Sequence, residues 1–279
     1  MAGKSVSEAA PPETELREYL SLAVRITQET REIVRTAVRA GFDSRFKHDG
    51  SYVTTVDLAV EHHIRAQLDA TLPTHGIIGE EFPPKISQSV FQWAIDPIDG
   101  TLSLRHGIPL FGTVLALLYR GVPVVGVMDF PLLDRRYFGA AGLGAYRNEE
   151  VLRIDDLPDE DAIEGVLLAV GERRQFVDAG NDELFDRLMR LHRHVRTYCD
   201  CFGHALTIEG SIAAMLDCGL RIWDIAATEL LIKEAGGEFQ YLKGSKVPAS
   251  VGTYDALFGK PTVVKWLART LGCDPRPKG

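Results

Sequence analysis

The chain has 279 residues, enough for one large domain or two closely packed ones. Hydrophobic residues make up 45% and charged ones 25%, a globular balance, and the net charge of −8 comes from acids dispersed along the chain. That distribution argues against a nucleic-acid surface, which would cluster Lys and Arg, and no apolar run is long enough to span a bilayer.

Residues 1–12 are polar and rich in Ala and Pro, without the apolar centre of a signal peptide, and read as a disordered leader. Leu16, Leu20, Ala23, Ile26, Thr30, Val34 and Val38 recur near helical spacing and predict one long helix over 12–40, stopped by Gly41. A turn at His48-Asp49-Gly50 leads to a second helix over 57–70, with the stripe Val60, Ile64, Leu68, ended by Pro73 and Gly76. Strand-like Phe91-Gln92-Trp93-Ala94-Ile95 follows. Apolar runs over 113–118 and 122–128, separated by Arg120-Gly121, then predict a hairpin. Residues 136–138 and 145–146 extend what should be a largely antiparallel sheet. The acidic, Pro-containing stretch 155–161 is the best linker, dividing the chain into an N-terminal half (13–157) and a C-terminal half (158–279). Beyond it, strands over 165–170, 194–198 and 220–223 alternate with helices over 182–191, 204–216 and 224–235, an α/β pattern closed by Gly236-Gly237. Cys199, Cys201, Cys218 and Cys273 form no disulfide or zinc pattern, so a reduced cytoplasmic setting is expected.

The residues that carry chemistry centre on Asp96-Pro97-Ile98-Asp99-Gly100-Thr101. Two carboxylates three residues apart stand where a strand ends and a loop turns into a helix. Such carboxylates repel each other unless a cation lies between them. Gly100 permits close backbone approach, and free N–H groups at the helix start beginning with Thr101 would receive a phosphate. Taken alone, the hexapeptide is equally an Asx-turn with a helix cap. Three companions change that reading. Gly79-Glu80-Glu81 follows the apolar pair Ile77-Ile78, Thr54-Thr55-Val56-Asp57 is followed by Glu61 one helical turn on, and Trp223-Asp224-Ile225-Ala226-Ala227 puts an acid at the start of an apolar helix.

In this order the motifs resemble those of the inositol monophosphatase superfamily, from about Lys47 to Gly237. The resemblance implies the layered αβαβα sandwich of the inositol-monophosphatase/fructose-bisphosphatase type and a Mg²⁺-dependent phosphomonoesterase. It implies metal ligation by Glu80, Asp96, the Ile98 carbonyl, Asp99 and Asp224, with two or three Mg²⁺ per site, and all-oxygen ligands suit that hard ion. Asp57 and Thr101, together with Glu80, would be catalytic, the first two orienting the attacking water, while Gly100 and Thr101 N–H groups hold the phosphate. A homodimer is the family's habit, and Lys47 falls at a family position near the metals.

Gly107-Ile108-Pro109-Leu110-Phe111-Gly112-Thr113, the run 121–129 with Pro131 and Arg135, and Asp200-Cys201-Phe202-Gly203-His204 look more like the histidinol-phosphate phosphatase branch. Phe130 and Ile222 depart from that branch. Asp200, Cys201 and Asp217 would contact substrate, and an acid at 200 would favour the cationic histidinol phosphate of histidine biosynthesis over inositol 1-phosphate. Three alternatives remain at this point: an inositol-1-phosphate phosphatase, a nucleotide 3′-phosphatase, and a catalytically silent scaffold on the same fold. His62 and His63 read as exposed on a solvated helix. His192 and His194 read as flanking a basic surface with Arg190, Arg193 and Arg196.

Overall fold

A computed structural model describes residues 10–47, 50–242 and 252–273. Residues 1–9 of the expected leader and 48–49 of the expected turn lie outside the described residues. The leader does not reach residue 12 as expected, because Pro11 is buried and Pro12 precedes the first helical residue in extended conformation. In chain order α1 (Glu13–Ala40) is followed by a two-stranded ribbon, β1 (Ser44–Phe46) with β2 (Tyr52–Thr54), and by α2 (Thr55–Thr71). Then come β3 (Gly76–Gly79), β4 (Phe91–Asp99), α3 (Thr101–Arg105), β5 (Gly112–Tyr119), β6 (Val122–Phe130), β7 (Arg135–Ala140), β8 (Ala145–Arg147) and β9 (Glu150–Leu152). These seven strands make one sheet in sequence order. The β3–β4 pair is parallel and the other pairs antiparallel.

After a 3₁₀ turn (Asp161–Gly165), the second half supplies β10 (Leu168–Val170), α4 (Arg173–Asp178), α5 (Asp182–Leu191), β11 (Val195–Thr197) and α6 (Asp200–Ile208). It ends with β12 (Ala214–Leu220), α7 (Ile222–Glu234), β13 (Glu238–Tyr241), β14 (Tyr254–Gly259) and α8 (Pro261–Leu271). Its five-stranded sheet runs β11-β10-β12-β14-β13, parallel up to β12 and antiparallel beyond. The stretch expected as a linker is pinned rather than free: Asp156 accepts from the N–H and hydroxyl of Thr262 at 3.0 and 2.9 Å, at the start of α8.

The alternation of side chains along each strand sorts the core into layers. Trp93, Ile95, Leu115, Leu117, Val125 and Val127 pack under α1 and α2. Their neighbours Ala94, Val114, Ala116, Met128 and Phe130 face the other way, toward α6, α7 and the inner face of the second sheet. α4, α5 and α8 cover that sheet's outer face. The result is an αβαβα sandwich, as the motifs imply. Gly126 lets α7 lie close on β6, since a Cβ there would stand 3.1 Å from Ala227 Cα.

Two sequence expectations fail in an instructive way. The helix expected over 204–216 stops at Ile208, and Ala214–Leu220 is a central strand instead. Gly210 turns the chain at φ +80°, and the strand is almost wholly buried on both faces, so no alternation marks it. The second failure is one of omission, for β1, β2, β9, β13, β14, α4 and α8 were not anticipated.

Candidate active site

The site begins with a fault in strand pairing. Asp96 of β4 lies opposite Val114, whereas Asp99 lies opposite Gly112, so β4 carries one residue more than β5 between them. Pro97 has no N–H to give the ladder, and its carbonyl accepts from the Thr113 hydroxyl at 2.9 Å, which marks the bulge. Three positions apart on a regular strand, Asp96 and Asp99 would face opposite ways. The extra residue puts Ile98 among the α1–α2 side chains and turns Asp99 to the face that carries Ala94 and Asp96.

Helix starts supply two more acids. Thr54 caps α2 by accepting from the N–H groups of Val56 and Asp57 at 3.1 and 3.4 Å, and Asp57 Oδ2 accepts in return from Thr54 N at 2.9 Å. That leaves Asp57 Oδ1, which accepts from Thr101 Oγ1 at 2.9 Å. Asp224 repeats the device, its Oδ2 accepting from Arg221 N at 2.7 Å. Both acids stand third in their helices rather than at the cap itself. Each uses one oxygen locally and presents the other.

Gly100 adopts φ +96°, and a Cβ on it would stand 3.0 Å from Phe111 Cβ and 3.2 Å from Asp200 Oδ2, so the turn into α3 requires glycine. Thr101 Oγ1 is also 3.0 Å from the Ile98 carbonyl, and with one proton it serves Asp57 or Ile98 in turn. Glu80, at the end of β3, ion-pairs with Lys47, whose Nζ lies 2.6 Å from both Glu80 and Glu81. Burial would lower the Lys47 pKa, but the two glutamates overcome it and hold the ammonium charged.

The remaining charges are uncompensated. Burial raises Asp96 and Asp99 well above the carboxylate range, reinforced by Glu80 for the first and Asp200 for the second. Asp224 is pushed up to about 7 by burial and the repulsion of Glu80, against the Arg221 N–H. Asp57 is raised by burial against its bonds from Thr54 and Thr101. Asp96 Oδ1 and Asp99 Oδ2 are buried without a hydrogen-bond partner. A buried, unpaired carboxylate costs several kcal/mol, so such oxygens point to a cation. Among the described residues no three His, Cys, Asp or Glu side chains are drawn tightly around one point. The donor set, oxygen throughout with two orphaned acceptors, fits a hard divalent ion.

Asp200 begins α6 with φ +59°, a left-handed conformation that an aspartate tolerates better than most residues. Its carboxylate makes no hydrogen bond to a described residue. Burial first, then Asp217, Glu172 and Glu80, push it up to about 7. Cys201 and Asp217, expected beside the substrate, are both buried. Cys201 Sγ packs 3.7 Å from the Asp99 carbonyl. Asp217 pairs with His204 Nε2 at 3.1 Å, accepts from Cys218 N at 2.9 Å, and fits because Gly171 has no Cβ to strike it. Other corrections concern histidines: His63 meets Glu29 of α1 at 2.8 Å, and buried His192 is 2.9 Å from the Ile163 carbonyl.

Sequence reasoning left Glu61, Arg65, Glu81 and Arg221 without roles. Their signals were faint: a second acid after Glu80, and an acid one turn beyond Asp57.

Comparison with known proteins identifies the family. Residues 15–271 match the model of the inositol monophosphatase family. Over 233 residues the chain is 33% identical to the histidinol-phosphatase of Mycobacterium tuberculosis, covering 82% of this chain and 89% of that one. A probable inositol 1-monophosphatase of the same organism is 31% identical over 244 residues, covering 85% and 88%. The structure of the extragenic suppressor protein suhB from Bartonella henselae superposes with a TM-score of 0.80 at 23% identity, covering 91% of this chain and 98% of that one, and shares the fold. The chain belongs to the inositol monophosphatase family of phosphatases.

Proposed function

We propose that this chain is a Mg²⁺-dependent phosphomonoesterase with histidinol phosphate as its favoured substrate. The observation that carries the chemistry is the pair of orphaned buried oxygens, Asp96 Oδ1 and Asp99 Oδ2, inside an all-oxygen cluster. Glu80, Asp96, the Ile98 carbonyl, Asp99 and Asp224 would hold two or three Mg²⁺ ions. Bound there, Mg²⁺ would offset the phosphoryl charge and acidify the attacking water.

The chain's own residues orient and move protons. With its hydroxyl donated to Asp57 Oδ1, Thr101 Oγ1 turns its lone pairs to the water. As that water attacks phosphorus, its proton passes to Thr101 Oγ1, and the Thr101 proton passes to Asp57 Oδ1, which burial makes the more basic. Glu80 offers a second carboxylate to the same water. The N–H groups of Gly100 and Thr101 receive the phosphoryl oxygens, the ester P–O bond breaks, the leaving alkoxide takes a proton from a solvent water and departs as the alcohol, and Asp57 returns its proton to solvent.

Asp200 supports the choice of substrate. Its carboxylate lies against the Gly100 turn, unpartnered, among acids that raise its proton affinity. A cationic leaving group would relieve that repulsion, and histidinol phosphate carries an ammonium and an imidazole. Such a charge-assisted contact contributes on the order of 1.5–3 kcal/mol, roughly tenfold to more than a hundredfold in kcat/KM. Asp200→Ala should therefore lower kcat/KM for histidinol phosphate by about that factor and leave p-nitrophenyl phosphate nearly unchanged. Equal losses on both substrates would remove Asp200 from recognition, and a wild type preferring inositol 1-phosphate would end the histidinol reading.

A further inference from the structure

We propose that Glu61 is a positioning residue for Glu80, holding the loop after β3 so that the Glu80 carboxylate faces the Asp96–Asp99 bulge. The inference rests on the reading of Glu80 as a metal ligand. Glu61 lies on α2, one turn beyond Asp57, with no exposed surface. It touches none of Asp96, Asp99 or Asp224 through a hydrogen bond, and spends its carboxylate on the loop. Its Oε2 accepts from Glu81 N at 2.8 Å, and its Oε1 from Phe82 N at 3.3 Å and from Arg65 Nε at 2.7 Å. Arg65 in turn donates to the Phe82 carbonyl at 3.0 Å. On the other side, Glu80 N donates to Ile95 O of β4 at 3.2 Å.

Glu80 is thereby gripped between two consecutive amides, one given to the sheet and the next to α2. The same helix carries Asp57, so a single rigid element sets the place of the Thr101 partner and of the Glu80 loop together. Gly79 is an independent sign of the arrangement. A Cβ there would stand 2.2 Å from Glu61 Oε1 and 3.0 Å from an Arg65 nitrogen, so residue 79 must be glycine for the Glu61 carboxylate to reach the loop. Buried acids placed behind a metal ligand orient it, and their loss typically weakens metal binding roughly 10- to 100-fold.

The test measures Mn²⁺ binding by electron paramagnetic resonance on the full chain, for wild type, Glu80→Gln, Glu61→Gln and Gly79→Ala, beside metal-free melting curves. Glu61→Gln removes an acceptor. Gly79→Ala keeps the charge and displaces the carboxylate, and decides the matter if the first variant does not fold. The expected result is a roughly 10- to 100-fold weaker Mn²⁺ affinity in both, with KM for p-nitrophenyl phosphate unchanged at saturating Mn²⁺. Variants that only melt earlier, binding Mn²⁺ as tightly as wild type while folded, overturn the proposal provided Glu80→Gln is impaired. If Glu80→Gln itself binds like wild type, the ligand reading of Glu80 fails first, and the proposal with it.

Discussion

Asp129 and the Asp96–Asp99 pair are buried acids on opposite faces of one sheet, and they are treated in opposite ways. On the α1 face, Asp129 is 1% exposed and fully engaged. Arg31 Nε lies 2.8 Å from each of its oxygens, Arg31 Nη2 donates at 2.6 Å, and Arg136 stands 3.5 Å away. On the α7 face, Asp96 and Asp99 each keep an oxygen without a partner, and their neighbours are other acids. The first arrangement staples a helix to a sheet. The second is held together by packing against its own electrostatics, a repulsion that a bound cation would relieve.

The comparison can be broken by exchanging one atom in each region. Asp99→Asn and Asp224→Asn should lower kcat by about a thousandfold or more at saturating Mg²⁺, near 4 kcal/mol of transition-state stabilisation. The metal-free fold should be no less stable, since a like charge has been removed. Near-normal kcat in either variant would end the ligand assignment. Asp129→Asn should do the reverse. Arg31 would keep only the exposed Asp134 at 3.3 Å, and a buried charge stripped of its main partner costs about 3 kcal/mol of unfolding free energy in urea titrations. The kcat per folded molecule should stay near wild type. A variant as stable as wild type would show that the Arg31 pair is not what holds α1.

The smallest expected effect is a pH slope. Burial pushes Asp200 and Asp224 up to about 7, against about 4 in an unfolded chain. Between about pH 5 and 7 the metal-free folded state therefore keeps protons that the unfolded chain releases, so stability falls as pH rises. His75, depressed by burial, works the other way in part of this window. Acids held low by hydrogen bonds, such as Asp156 and Glu209, have finished titrating below it. Melting temperatures in EDTA should thus fall across the window, and less steeply in Asp224→Asn. Parallel slopes in the two proteins would mean that Asp224 carries no raised proton affinity.

How much of this could be read from the sequence depended on how local each cause was. α1 and α5 were legible because one face of each is apolar at helical spacing, and α5 begins and ends where that pattern does. The acids of the site were legible as motifs because each lies at a strand end or helix start. β12 was misread because Ala214-Met215-Leu216 are good helix formers buried in a sheet with no solvent face to impose alternation. The partners of the acids were invisible. Arg31 and Asp129 are 98 positions apart, and Lys47 and Glu80 are 33 apart. No local pattern says that Asp129 is satisfied and Asp99 is not, although that difference separates scaffold from site. Likewise the sequence does not say that Cys201 and Asp217 pack against Gly112 and Gly171.

The bulge in β4 has a consequence for which changes of length the chain can absorb. Side chains on a strand have parity, and the extra residue between Asp96 and Asp99 reverses it once. Inserting one residue in β5 between Gly112 and Val114 would complete the ladder without the bulge and rotate Asp99 into the layer of Trp93 and Ile95, where a carboxylate meets only hydrocarbon. Adding one residue there is thus worse than exchanging several. Ile98 offers the site its carbonyl alone, so its side chain answers to the α1–α2 core and can vary with that core. Keeping Asp99 beside Asp96 requires the one-residue offset between the two strands, and a single-residue insertion between Gly112 and Val114 should not be found in this protein.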